Sequence, residues 1–159
     1  MAIRRVVRHG DPILRKRSRE VIEINERIIE IIEDMTETLY KENGIGIAAP
    51  QIGILKRIVV IDNGDGPIEL INPVLLSCEG SQEGAEGCLS VPGEFGLVER
   101  PACVRIKALN RKGKRIELLG DGMLARAFCH EIDHLDGKLF IDIATEMYTQ
   151  EEIDKMGEK

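Results

Sequence analysis

Residues 122–137 read Gly-Met-Leu-Ala-Arg-Ala-Phe-Cys-His-Glu-Ile-Asp-His-Leu-Asp-Gly. Met123, Ala127, His130 and His134 recur at helical spacing, so the stretch predicts a helix from Gly122 to Asp136 with these four on one face and Gly137 at its end. Within it, His130-Glu131-Ile132-Asp133-His134 is an HExxH motif. Four residues make slightly more than one helical turn, so both imidazoles project from the same side. That spacing lets two ring nitrogens reach one metal ion at about 2.0–2.1 Å. Glu131 stands nearby without being a ligand, placed to take a proton from a bound water. The bland reading is two surface histidines on a helix. Against it, the chain has three histidines and two of them fall in this pattern.

A catalytic site of this type needs a third protein ligand and one open position. The histidine that an extended motif would place at position 140 is Phe140 here. Glu151 and Glu152, the candidates for a downstream carboxylate as in thermolysin-like enzymes, sit at a charged helix start where capping explains them. Cys88 is the better candidate. It lies in Glu86-Gly87-Cys88-Leu89-Ser90, where Gly87 allows close approach of another group. A small buried hydrophobe is the plainer reading of a free cysteine. It suits Cys78 and Cys103, which alternate with apolar residues in strand-like runs, better than Cys88 among Gly, Glu and Ser.

Outward from this helix the periodicity changes. Residues 25–42 predict an N-terminal helix, capped by Asn25, with Ile28, Ile32, Met35 and Leu39 on one face and Gly44 as its stop. Arg57 to Ile61, Glu69 to Ile71, Val74 to Cys78, Cys103 to Leu109 and Lys114 to Leu118 are short, β-branched and bounded by Gly, Pro or Asn, as strands are. Asn110 to Gly113 reads as a hairpin connection. Thr149 and Glu152 have the spacing of a capping box for a short last helix. The expected architecture is α+β. Short antiparallel strands pack around the central HExxH helix, with one helix near each end. Residues 1–159 are expected to form one domain, with 145–159 as a short tail.

Composition narrows the function. A chain of 159 residues with 43% hydrophobic and 31% charged residues can bury a core without disulfide staples. Aromatics are 3% of it, so that core must be aliphatic. The formal net charge of −6 and the absence of a long basic run disfavour DNA or RNA binding as the main activity. The stretch from Arg4 to Arg19 reads as a solvated face. No apolar run approaches the ~20 residues of a membrane helix, and Met-Ala-Ile-Arg-Arg lacks the apolar stretch of a secretory signal. The expected location is the cytoplasm, with Cys78, Cys88, Cys103 and Cys129 reduced.

Three ordered motifs resemble those of the peptide deformylase family. They are Gly44-Ile45-Gly46-Ile47-Ala48-Ala49-Pro50-Gln51 as GxGxAAxQ, Glu86 to Ser90 as EGCLS, and His130 to His134 as HExDH. Gly10-Asp11-Pro12-Ile13-Leu14-Arg15 and Leu135-Asp136-Gly137 also look like the family. The similarity runs from about Ile3 to Ile143, and the compact length resembles the bacterial type 1 group. Two departures stand out. Cys129 occupies the place where many members have Gln, and it points about 100° away from His130 around the helix, which suits packing better than ligation. The tail after Ile143 matches no family motif.

The resemblance, with the ligand chemistry, implies the following roles. Cys88, His130 and His134 hold a divalent metal, with Fe²⁺ as the native ion and Zn²⁺, Ni²⁺ or Co²⁺ as substitutes. Glu131 accepts a proton from water. The Gln51 side chain and the Leu89 backbone N–H stabilise the oxyanion formed at the formyl group of an N-formylmethionyl nascent peptide. Gly44 and Gly46 let the Ile45–Ile47 backbone pair with an extended peptide like an added strand. Glu86 and Gly87 lie on the substrate side. A methionine pocket needs apolar walls, which Ile45 can supply and, from the helix face of His130, Met123 and Ala127, although ordinary core packing explains those two equally well. Ribosome contact is expected to be at most weak and transient, because Glu151, Glu152, Asp154 and Glu158 outnumber Lys155 and Lys159 in the tail. Two other readings compete: a metallopeptidase using Glu151 or Glu152, and a metal-binding module without turnover.

Overall fold

The computed structural model describes residues 2–157; Glu158 and Lys159 of the acidic tail lie outside them. In chain order the elements are α1 (Glu26–Lys41), β1 (Gly46–Ala48), β2 (Ile58–Ile61), β3 (Ile68–Glu79), β4 (Gln82–Cys88), β5 (Val91–Arg100), β6 (Cys103–Leu109), β7 (Arg115–Asp121), α2 (Gly122–Leu135), β8 (Glu146–Thr149) and α3 (Gln150–Gly157). One sheet has the order β1-β2-β3-β6-β7 and the other β4-β5-β8. Every pairing between these strands is antiparallel. The α+β expectation holds, with α2 against the five-stranded sheet.

Helix α1 starts where the Asn25 side chain accepts the Ile28 N–H at 3.1 Å, satisfying one of the free donors of the first turn. Ile28, Ile31, Ile32, Met35 and Leu39 are buried in one cluster with Ile47, Ile58 and Val60 of β1 and β2. Asp34 and Thr38 are buried on the same helix, where they take up the N–H groups of Ala2 and Arg4. The helix stop differs from expectation. Asn43 takes the left-handed backbone, at φ 55°, while Gly44 does not.

The second apolar cluster joins Val59, Ile61, Leu70, Val104 and Ile106 of the large sheet to Ala125, Phe128 and Leu135 of α2. The two short strands expected at 69–71 and 74–78 are one strand, β3. Its register slips between Ile71 and Val74, around Pro73, which has no N–H to give to the ladder. Asn72 there has φ 52°, and its amide bonds both the N–H and the C=O of Val21. Beyond Pro73 the strand outruns β2, so Val74, Leu75, Leu76 and Cys78 are exposed. The buried reading of Cys78 is therefore corrected; Cys103 is half-buried, and all four cysteines are free thiols.

Strands β1, β5 and β8 were not expected as strands. β4 and β5 form a hairpin rich in Gly and Glu, residues with low strand preference, with Pro92 near the start of β5. Pairing from Gln82–Arg100 to Cys88–Val91 holds them together, and β8 adds to β5. The last helix begins as expected, with Glu152 and Thr149 bonding each other's backbone N–H. No described helix is long and apolar enough to cross a membrane.

Candidate metal centre

Helix α2 delivers His130 and His134 to the end of β4, where Cys88 ends the strand just before its turn into β5. One donor atom from each of Cys88, His130 and His134 lies within 4.8 Å of the others. Cys88 Sγ is 3.3 Å from His134 Nε2. His130 Nδ1 is 2.8 Å from Glu86 Oε1, which leaves Nε2 as the nitrogen free to ligate. The donor set fits a divalent transition metal, with one thiolate and two imidazoles on rigid elements. A second observation agrees: Glu131 Oε1 is buried without a hydrogen-bond partner among the described residues. An acceptor of that kind is satisfied by a bound water.

Glu131 is 4% exposed, and its Oε2 lies 3.9 Å from His130 Nε2. Burial pushes its carboxyl up to about 7 against the pull of His130. Burial also drives His134 toward the neutral form that ligates a metal. On His130 burial opposes charge, but Glu131, Cys88 and Glu86 outweigh it and hold its pKa above the ordinary value. Gly46 passes directly over Glu131. A Cβ there would sit 2.6 Å from Glu131 Oε2, so the close approach of β1 requires glycine.

Gln51 is buried. Its Oε1 accepts the Ala48 N–H at 2.9 Å, which fixes the amide orientation. Its Nε2 then points at Ser90 Oγ, 3.1 Å away, and at Cys88 Sγ, 3.5 Å away. Leu89 lies in the turn after Cys88. A cavity of about 610 Å³ opens beside these groups, bounded by Gly44, Ile45, Gly87, Met123 and Ala127. Ile45 and Met123 are exposed at its rim, and Ala127 is buried in its wall. The Ile47 side chain is fully buried in the core, so only its backbone is available to a peptide. β1 is an edge strand, which leaves one side of its backbone without a neighbouring strand.

Glu86 borders the same cavity, while its carboxylate is 3% exposed and already engaged on both oxygens. Arg100 bonds it at 2.7 and 2.9 Å, Arg126 at 2.7 Å and His130 at 2.8 Å. Arg100 also reaches Asp133, on α2, at 2.7 Å. Burial opposes charge on Glu86, but the bonds from Arg100 and His130 hold it down to about 2. It is an ionised partner that orients His130. Arg100 and Arg126 were not singled out from sequence. The spacing of Arg126, one turn before His130, was the available signal for it.

Cys129 packs at the edge of the second apolar cluster, and burial pushes its thiol up to about 11, so it stays protonated. Phe140 is buried with its ring 6.0 Å from that of His130. Glu151 and Glu152 are exposed on α3 and contribute no atom to the donor cluster.

Residues 3–150 match the family described as polypeptide deformylase. A peptide deformylase of Caldanaerobacter subterraneus is 52% identical over 99% of both chains. One of Alkaliphilus metalliredigens is 56% identical over 89% of this chain and 97% of its own. The crystal structure of peptide deformylase from Thermotoga maritima superposes with a TM-score of 0.90 at 41% identity, covering 92% of this chain and all of that one.

Proposed function

Because the chain belongs to the polypeptide deformylase family, we propose that Cys88, His130 and His134 are its metal ligands and Glu131 its proton-transferring group. The reaction is hydrolysis of the N-formyl group from nascent polypeptides, releasing formate and a free amine, and the family is metal-dependent. The observation that carries the assignment is the convergence of one sulfur and two ring nitrogens beside a buried carboxylate with an unpartnered oxygen.

A divalent metal held by these three residues supplies Lewis acidity, lowering the pKa of water toward 7 and polarising the formyl carbonyl. Glu131, whose carboxyl is tuned near neutrality by burial, accepts the attacking water's proton and returns it to the leaving amine. Gln51 is locked by Ala48 with its N–H₂ turned toward the sulfur, and that group donates to the formyl oxygen as charge builds there. The Leu89 N–H is the second donor. Gly44, Ile45, Gly46 and Ile47 offer backbone to an extended peptide along the free side of β1. Gly87 lines the same cavity, its missing side chain making way for the Phe95 ring, and Ile45, Met123 and Ala127 receive the methionine side chain.

Fe²⁺ is the proposed resident ion, with Zn²⁺, Ni²⁺ and Co²⁺ as substitutes. A thiolate with two imidazoles suits all four, and resemblance to the family favours iron. The whole chain acts as one catalytic unit in the cytoplasm, meeting ribosomes weakly and transiently. Strong, salt-dependent cosedimentation with ribosomes would count against that last point. The main test is anaerobic formate release from formyl-Met-Ala-Ser, with ferrous iron and then zinc. The expected result is one formate per free amine, faster with iron, and loss of both metal and rate in Cys88→Ala. Retention of metal and rate by Cys88→Ala would overturn the ligand assignment.

A further inference from the structure

Arg126 is the one lysine or arginine lining the cavity among the described residues. Its side chain is 14% exposed. All of its hydrogen bonds run through one nitrogen. Nη1 donates to Glu86 Oε2 at 2.7 Å, to the Val98 carbonyl at 3.1 Å and to the Gly84 carbonyl at 3.5 Å. Nε and Nη2 have no protein acceptor among the described residues. The guanidinium lies against β4 at Gly84, where a Cβ would come within 3.0 Å of Nη2. The group is thus pinned at one corner, while Arg126 itself borders the cavity between Met123 and His130.

The thioether sulfur of methionine is a weak acceptor. Oxidation of methionine gives a sulfoxide, which is polar and carries an oxygen acceptor. We propose that Arg126 lets the enzyme accept nascent peptides whose initiating formylmethionine has been oxidised to the sulfoxide, by donating from Nε or Nη2 to the sulfoxide oxygen. No redox step is involved: the formyl C–N bond is hydrolysed as before, and the sulfoxide leaves unchanged. The inference rests on the assignment of the Met123 and Ala127 wall to the first side chain.

The test is the ratio of kcat/KM for formyl-Met(O)-Ala-Ser to that for formyl-Met-Ala-Ser, measured on metal-loaded enzyme. Loss of metal or of folded protein scales both peptides alike and leaves the ratio unmoved. Arg126→Met keeps an unbranched stem and removes the donors; it should lower the ratio about tenfold, the loss expected for a hydrogen bond to a charged group. Arg126→Lys, which keeps a donor, should lower it less, and serves as the deciding variant if Arg126→Met does not fold. A ratio unchanged in both variants overturns the proposal and leaves Arg126 as a packing stem. So does a wild-type enzyme that rejects the sulfoxide more than about a hundredfold. Ala127→Val, compared on formyl-Met and formyl-Ala peptides, checks the wall assignment separately. Unchanged discrimination there removes that assignment. Changed discrimination with an unmoved sulfoxide ratio removes only the role of Arg126.

Discussion

The two sheets are held together by different chemistry. In the five-stranded sheet, Ile58, Val59, Val60, Ile61, Val104 and Ile106 are fully buried, and apolar burial stabilises it. In the three-stranded sheet, β4 reads Gln-Glu-Gly-Ala-Glu-Gly-Cys, and its one buried residue is the charged Glu86. The apolar cluster behind that sheet has Val91, Val98 and Phe140 as its fully buried members. The strand that carries Cys88 is thus fastened to the histidine helix largely by ion pairs, through Glu86, Arg100, Asp133 and Arg126. The difference teaches that one sheet supplies the scaffold and the other supplies the position of a single sulfur.

The largest expected effect falls on chemistry, where the two regions meet. Glu131→Gln should keep its metal and lose kcat by on the order of 10³-fold, as removal of a general base does. Metal analysis of the same sample used for formate release checks both halves. Equal loss of metal and rate would place Glu131 in the ligand set.

Legibility from sequence divides along the same line. α1, α2, β2 and β6 were readable because aliphatic residues recur at helical or strand periods. The bounds of β4 and β5 were not, because Gly84, Gly87, Gly93 and Gly96, with Pro92, erase the alternation that marks a strand. Pairing from Gln82 to Arg100, not local preference, makes them strands. At the site, Cys88, His130, Glu131 and His134 were legible because ligand chemistry restricts residue type and spacing. Arg100, far from all of them in sequence, gave no periodic signal, since an ion pair formed by folding leaves no local pattern. Glu86 was picked out for the substrate side, but its bonds to Arg100, Arg126 and His130 were not legible, because its neighbours in sequence do not reveal them.

The next effects separate scaffold from positioning. Glu86→Ala breaks a buried network and should cost about 3 kcal/mol of stability. It should also weaken metal binding about 10–100-fold, as loss of an orienting partner does. Ile71→Ala, in the fully buried part of β3, should cost about 2 kcal/mol while leaving the metal affinity of the folded protein unchanged. Thermal unfolding together with chelator competition would distinguish them. Similar metal affinities in the two variants would dissolve the contrast between the sheets.

The smallest effect is pH-dependent and lies on the scaffold side. Burial raises the Asp34 pKa, but bonds from Arg4 and the Ala2 N–H outweigh it and hold the carboxyl below its ordinary 3.8. A carboxylate with a lowered folded pKa stabilises the protein above its unfolded pKa, and that contribution is lost as pH falls through the folded value. Asp34→Asn should therefore unfold about 1 kcal/mol more easily at neutral pH. The gap from wild type should close as the pH drops below 3.8. Urea unfolding at a series of pH values checks this, and a gap that widens in acid would reverse the sign.

The most direct measurement is anomalous diffraction from crystals of the metal-loaded protein, collected at the edge of the added ion. The expected result is one peak per chain, about 2.3 Å from Cys88 Sγ and about 2.0–2.1 Å from a ring nitrogen of each of His130 and His134. A principal peak elsewhere, or one bonded to both histidines with the Cys88 sulfur out of bonding range, would contradict it.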